Sequence, residues 1–356
     1  MITLGISFYV LLAISYLVDI YRGQIKQGND VIGFCLYIIF FPKLIFGPLM
    51  RYVEFEQQVY GRKYSLRLFS TGVCRLVKGM AKKWIIADTI GLVANQAFAM
   101  NNETILPFPL AWLGIISYGL QFYFDFSGYC DMSIGMGYML GFKLPENFNY
   151  PYITKSVREF WRRWHITLAD WFKEYVYIPL GGSVVKNKDI LIRNVFLIFI
   201  LLGIWHGLNS TFIVWAIYNF LFTLMEILVE WDKRNIADFY RHIYFFIFVV
   251  LSGILFRSES LLLAGRYFVG LIGVGGFDMH YAVQFISAYG IYYIIALLFC
   301  LPISRRMNTL LINNVFKSWY TNFVMIIYPV CMLVLFVIAL SYLMIGTKIS
   351  FVYFSF

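Results

Sequence analysis

Long apolar stretches separated by short polar connections run along nearly the whole chain. Stretches near the ~20 residues a helix needs to cross a bilayer recur at 1–18, 84–100, 108–124, 190–206, 211–229, 283–301 and 323–345. Those at 31–50, 126–142, 243–256 and 261–277 are shorter or interrupted. The runs are continuous rather than alternating, which argues against a β-barrel. Without water to satisfy backbone groups, each crossing should be a helix. The pattern predicts an all-α fold, a polytopic transmembrane helix bundle of about seven or eight spans. Re-entrant or interfacial amphipathic helices should accompany the spans, in a single membrane domain over 1–356.

Four places depart from plain spans. Between 51 and 83, Leu66, Phe69, Val73, Leu76 and Val77 fall at helical spacing with basic residues elsewhere, the pattern of an interfacial helix. Phe41-Pro42-Lys43 interrupts an apolar run, and Gly47-Pro48 follows. Proline removes a backbone hydrogen bond and a lysine at depth needs a partner, so a re-entrant or broken helix is expected there. Farther on, Trp161, Trp164, His165, Leu168, Phe172 and Tyr175 form one helical stripe that stops before Pro179, with Glu159 in reach of Arg162 or Arg163. Finally, Gly137-x-x-x-Gly141 predicts close helix packing and does not match a dinucleotide fingerprint.

Composition strengthens the membrane reading. Hydrophobic residues make up 61% of the 356 positions and charged ones 13%, against about 25% charged in soluble domains. Mean hydropathy is +0.72. The net charge of +10 is concentrated in 60–83 and 150–188, where a positive-inside bias would place both on the cytoplasmic side. The lipid bilayer, not nucleic acid, is the partner this charge predicts. The five cysteines lie far apart, mostly in apolar runs, and read as buried hydrophobes rather than as thiol or zinc chemistry.

Histidine is scarce, with four in the chain. His242 follows Arg241 at the start of an apolar run and His280 sits in a predicted loop, so neither suggests chemistry. His206 ends the run 190–206 inside Gly203-Ile204-Trp205-His206-Gly207. An intramembrane imidazole is a functional candidate by default. Trp205 offers a wall, Gly207 suggests room for a substrate, and a neutral imidazole can serve as general base and then acid. The alternative is a histidine hydrogen-bonded between helices. His165 lies on the apolar stripe and reads equally as a packed ring or a catalytic one. Two histidines without a placed carboxylate make a poor metal site, and no metal is expected. Asp125 and Asp131 should line a cavity or pair with bases, and Asn147 and Asn149 sit in a turn-like stretch.

Several of these motifs resemble one family. Phe122-Tyr123-Phe124-Asp125-Phe126-Ser127-Gly128-Tyr129, Pro145-Glu146-Asn147-Phe148, Phe160-Trp161-Arg162-Arg163-Trp164-His165 and Gly203-Ile204-Trp205-His206-Gly207 resemble membrane-bound O-acyltransferases. So do Gly5-Ile6-Ser7-Phe8, Tyr16-Leu17-Val18-Asp19 and Phe41-Pro42-Lys43. Tyr175-Val176-Tyr177-Ile178-Pro179-Leu180-Gly181-Gly182 is similar to the bacterial branch that O-acetylates alginate, peptidoglycan and other exopolysaccharides.

The resemblance implies that His206 is the catalytic histidine and His165 the second histidine of the site. It implies an enzyme of the bacterial cytoplasmic (inner) membrane that moves an acetyl or other acyl group toward an extracytoplasmic polysaccharide. It further implies acetyl-CoA as donor, no tightly bound cofactor, and an extracytoplasmic acetyltransferase or esterase-like partner protein. The basic segments 60–83 and 150–188 are candidates for the donor's phosphates, or for lipid headgroups. D-alanyl transfer to teichoic acid is the alternative within the family. A transporter is the alternative outside it, on the strength of the break at Pro42 and the buried polar residues. Relatives usually carry apolar segments before the Gly-Ile-Ser-Phe motif, so an N-terminally truncated domain is expected.

Overall fold

The computed structural model describes residues 5–25, 30–182, 188–303 and 317–345, and side chains in the last stretch from Ile326 onward. Lys186, counted above with the basic residues of 150–188, lies outside the described residues. Among the described residues the fold is helical, with one isolated antiparallel bridge between Phe148 and Trp164. The helices are α1 (Ile6–Tyr21), α2 (Val31–Ile39), α3 (Tyr52–Gly61), α4 (Leu66–Met80), α5 (Asp88–Asn101), α6 (Phe108–Met139) and α7 (Val157–Trp161). They continue as α8 (Ile166–Phe172), α9 (Lys188–His206), α10 (Ser210–Leu228), α11 (Asp238–Arg257), α12 (Leu261–Leu271), α13 (His280–Phe299) and α14 (Lys317–Ile345). By length and composition α9, α10, α11, α13 and Ile326–Ile345 of α14 can each cross a membrane. The shorter α1, α2 and α12 are apolar as well.

The two runs at 108–124 and 126–142 form one helix, α6, of 32 residues, about 48 Å long at 1.5 Å per residue. It is the axis of the bundle: α4, α5, α11, α12 and α13 all pack on it. It is mostly apolar, and its polar side chains Ser117, Gln121, Asp125, Ser127 and Ser133 are buried within the bundle.

The tightest packing is that of α4 on α6. A Cβ on Gly79 would lie 2.5 Å from the Gly128 carbonyl oxygen, and one on Gly135 would lie 2.7 Å from that of Gly72. The pairs 72–135 and 79–128 are each one heptad apart, so the helices run antiparallel along a glycine seam. Charge completes the join. Arg75 pairs with Asp131 at 2.9 Å and Lys82 with Asp131 at 2.6 Å. A π-helical turn over Ala81–Ala87 links α4 to α5. It lets the adjacent Lys83 also reach α6, at 2.6 Å from Asp125, while staying 2.7 Å from Asp88. Both aspartates thus pair with bases.

Gly137 and Gly141 play no part in that seam. Gly137 faces Leu144 of the following loop, and Gly141, at φ +85, turns the chain out of α6. Close packing was expected of this region, but the other two glycines supply it. The break at Pro42 is as expected: α2 ends at Ile39 and a 3-10 turn covers Phe41–Lys43. The hydroxyls of Ser133 and Tyr129 on α6 donate to the carbonyls of Pro42 and Leu44. Lys43 Nζ stands 3.7 Å from the centroid of the Tyr37 ring, a cation–π contact.

The stripe from Trp161 to Tyr175 is not one helix. α7 ends at Trp161, His165 takes φ 45 in the left-handed region, α8 follows, and a π-helical turn covers Lys173–Tyr177. Glu159 pairs with Arg163 at 2.8 Å, one of the two partners expected.

The glycine seam makes a direct prediction. Gly79→Leu should drive α4 off α6 and lower the melting temperature of the detergent-purified chain, with an overpacking cost of about 1–3 kcal/mol. Thermal unfolding followed by circular dichroism measures it, and an unchanged midpoint would contradict the seam.

Candidate active site

The Gly203–Gly207 motif closes α9 onto α10. A Cβ on Gly203 would lie 2.7 Å from the Ala216 Cβ and 3.0 Å from the Phe212 carbonyl oxygen, so only glycine allows this approach. His206 is the last residue of α9. Its ring stands among Trp205, Phe256 and Trp215, with centroids at 4.9, 5.0 and 5.4 Å. The room anticipated beside Gly207 is taken by Phe212, whose ring carbons lie 3.0 Å from where a Cβ would be. Space for a ligand lies elsewhere around the imidazole.

His165 is placed by a different device. The chain after α6 doubles back beside the α7–α8 link. Asn149 N–H donates to the Arg163 carbonyl and Ile166 N–H to the Asn147 carbonyl, both at 3.0 Å. Thr167 N–H donates to Asn147 Oδ1 at 3.1 Å. Asn147 therefore caps the first two amides of α8, a task His165 at the N-cap leaves undone. A left-handed non-glycine residue costs about 1–3 kcal/mol and persists only where its surroundings over-determine it. These bonds do so here.

The His165 ring is buried against Phe126, at 4.7 Å between centroids, and Phe8, at 6.2 Å. Phe8 in turn meets the edge of Trp205 at 5.3 Å. Nδ1 of His165 lies 3.1 Å from Asn147 Oδ1, and burial holds the imidazole pKa well below the ordinary histidine value. His165 and His206 line one cavity of about 750 Å³, walled by Trp161, Trp215 and Phe256, with Arg162 also on its lining.

Residues 22–265 match the membrane-bound O-acyltransferase family. The chain belongs to that family. It is 41% identical over 280 residues to a probable alginate O-acetylase of Pseudomonas syringae pv. tomato, covering 78% of this chain and 53% of that protein. It is 34% identical to a peptidoglycan O-acetyltransferase of Helicobacter pylori, over 78% of this chain and 58% of the other. Identity to a teichoic acid D-alanyltransferase of Bacillus subtilis is 32%, over 65% of this chain and 60% of the other. The chain spans about half the length of the curated relatives it matches. Its apolar helices and its family make it a multi-pass protein of the bacterial inner membrane.

As a membrane-bound O-acyltransferase family member, the chain gathers its separated motifs around one space. Phe126 of the α6 motif, His165, and His206 of the α9 motif meet there, with Asn147 of the loop behind His165. Asp125 and Asp131 are not among the cavity's lining residues. Most basic side chains of 150–182 are already paired: Lys155 with Asp238, Arg158 with Asp232 and Arg163 with Glu159. Arg162 is exposed, and no ion pair of its guanidinium is found among the described residues. His242, from which no chemistry was expected, is exposed and lines the same cavity. Among the described residues no cluster of His, Cys, Asp and Glu could hold a metal ion.

Sequence reading missed three residues of this arrangement: Phe8, Asn147 in its role as partner to His165, and Glu226. Glu226 is fully buried, and its carboxylate accepts from Val157 N–H at 2.6 Å and Arg158 N–H at 3.0 Å. The Ser156 hydroxyl accepts from Glu159 N–H at 3.1 Å. Together they satisfy the first three amides of α7 and tie α10 to the segment that carries His165. The available signal was a lone acid inside the apolar run 211–229.

Glu226→Leu should therefore strand two buried amides, at about 1–3 kcal/mol each, and lower the melting temperature of the purified chain. Glu226→Gln keeps an acceptor oxygen and should lose less. Equal losses in the two variants would show that α7 does not depend on that acceptor.

Proposed function

We propose that this chain is an O-acetyltransferase that moves an acetyl group from acetyl-CoA on the cytoplasmic side toward an envelope polysaccharide. Alginate, peptidoglycan or another exopolysaccharide is the acceptor class, and an extracytoplasmic acetyltransferase or esterase-like protein completes the delivery. The observation that carries this reading is the pair of imidazoles, His165 and His206, on the lining of one cavity. His206 is the general base or proton shuttle and His165 assists it.

The chemistry follows from the surroundings. An imidazole kept among aromatic rings starts neutral, because little stabilises its cation there. It can take the proton of an attacking hydroxyl while that oxygen bonds to the thioester carbonyl, then return the proton to the departing thiolate. Apolar walls exclude competing water. Arg162 and His242 are exposed polar groups on the same lining, suited to the phosphates of a coenzyme-A donor. Arg75, Lys82 and Lys83 are less suited, because their charges are taken up by carboxylates.

Acetyl transfer is preferred over D-alanyl transfer because the chain is 41% identical to the alginate O-acetylase and 32% to the D-alanyltransferase. The break at Pro42, which would favour a transporter, has its freed carbonyls bonded by α6 and does not line the cavity.

His206→Ala should reduce base-labile acetate on the envelope glycan by about 100-fold or more at unchanged membrane levels of the protein. Acetate at the wild-type level would sink the assignment.

A further inference from the structure

Asn147 is buried, and its side chain does more than cap α8. Its Oδ1 receives Thr167 N–H at 3.1 Å and the Thr167 hydroxyl at 3.0 Å. A backbone N–H can only donate, so the atom facing it is the amide oxygen. The other end agrees, since Nδ2 donates to the Cys130 thiol sulfur at 3.3 Å. The Thr167 hydroxyl, having given its proton to Asn147, accepts from Leu49 N–H at 3.0 Å. Each donor in this chain of bonds has a defined acceptor.

One consequence falls on His165. Its Nδ1 faces that same Oδ1 at 3.1 Å, and an acceptor opposite a ring nitrogen requires a proton on the nitrogen. Neutral His165 is therefore the Nδ1–H tautomer, with its lone pair on Nε2. Among the described residues Nε2 is buried and has no hydrogen-bond partner, while His165 lines the cavity.

We propose that Asn147 is the positioning residue of the site. It locks His165 in the Nδ1–H tautomer, so that the other ring nitrogen, Nε2, is left bare to accept a proton or hydrogen bond and does not donate one. This inference rests on reading the cavity of His165 and His206 as the active site. It makes the two histidines unequal. His165 has its tautomer fixed by a dedicated side chain, through an amide that keeps it neutral where a carboxylate would favour its cation.

Few titratable groups face the His165 ring. From α1 and α6 it meets Phe8 and Phe126. From α9 it feels the His206 imidazole. The Cys130 thiol of α6 stands behind the Asn147 amide. Asp125 and Asp131 of α6 are held in ion pairs with Lys83, Lys82 and Arg75. On its own element Asp170 is exposed, and Arg163 is paired with Glu159.

Asn147→Asp is the discriminating variant. A carboxylate keeps every acceptor contact to Thr167 and His165 and loses only the donor to Cys130. It should raise the His165 pKa by about 1–3 units. If Nε2 must be unprotonated for transfer, the acid limb of the rate profile moves to higher pH by that amount. The measurement uses inverted membrane vesicles carrying the full chain and radiolabelled acetyl-CoA, with base-labile acetate on endogenous glycan read over roughly pH 5 to 9. Asn147→Leu, lacking the acceptor, should lower the maximal rate on the order of 100-fold without raising the KM for acetyl-CoA. An Asn147→Asp profile that superimposes on the wild type, with His165→Ala inactive, overturns the role given to Asn147. A fully active His165→Ala instead overturns the reading of the cavity itself.

Discussion

A carboxylate set inside a membrane protein must meet a countercharge or hydrogen-bond donors where it stands, because no water is there to serve. α6 carries two, Asp125 and Asp131, and most of the architecture can be traced to their neutralisation. Lys83, Lys82 and Arg75 supply the charges from α4 and from the π-helical turn after it. The seam at Gly72, Gly79, Gly128 and Gly135 brings the two backbones nearly into contact beside these pairs. Charge and glycine thus act at the same helix crossing. Breaking a buried pair by removing one partner costs about 3–5 kcal/mol, so the helix–helix distance has little latitude.

With one side of α6 held this way, other positions on it organise the surroundings of the two histidines. Ser133 and Tyr129 bind the carbonyls released at the Pro42 break. Cys130 receives the Asn147 amide, and Phe126 packs on the His165 ring. The loop leaving α6 then pairs with the α7–α8 link. α10 contributes from the opposite direction, through the Glu226 cap on α7 and through the approach of Ala216 to Gly203. The two imidazoles come to a shared cavity because each is fixed by neighbours that are themselves fixed by α6 or α10. A site assembled on packed helices is held more rigidly than one on free loops.

The arrangement also explains why His165 departs from helical geometry. A continuous helix would have kept its ring on the same stripe as Trp161 and Leu168. The left-handed turn instead hands the capping of α8 to Asn147, and the same oxygen then reaches Nδ1. A strained residue at a functional site is held there by the hydrogen bonds around it. Here three groups of two neighbouring residues converge on one amide oxygen.

The amino-acid sequence by itself determined the solvent and the class. Apolar runs of bilayer length can only become helices in lipid, and the break at Pro42 follows from proline's missing N–H. His206 stood out because an imidazole ending an apolar helix is costly unless used, and the family resemblance of the motifs marked His165. Local periodicity could not decide which faces meet. It assigned close packing to Gly137 and Gly141, whereas Gly72, Gly79, Gly128 and Gly135 lie at the crossing, since which glycines meet depends on how two helices far apart in the chain are brought together. It continued a helix through His165, because an αL turn stabilised by a residue eighteen positions away leaves no mark on an apolar stripe. It saw Asn147 as a turn residue and passed over Glu226. Their partners are backbone and ring nitrogens brought close only by the fold, and hydrogen bonds of that kind have no periodicity to read.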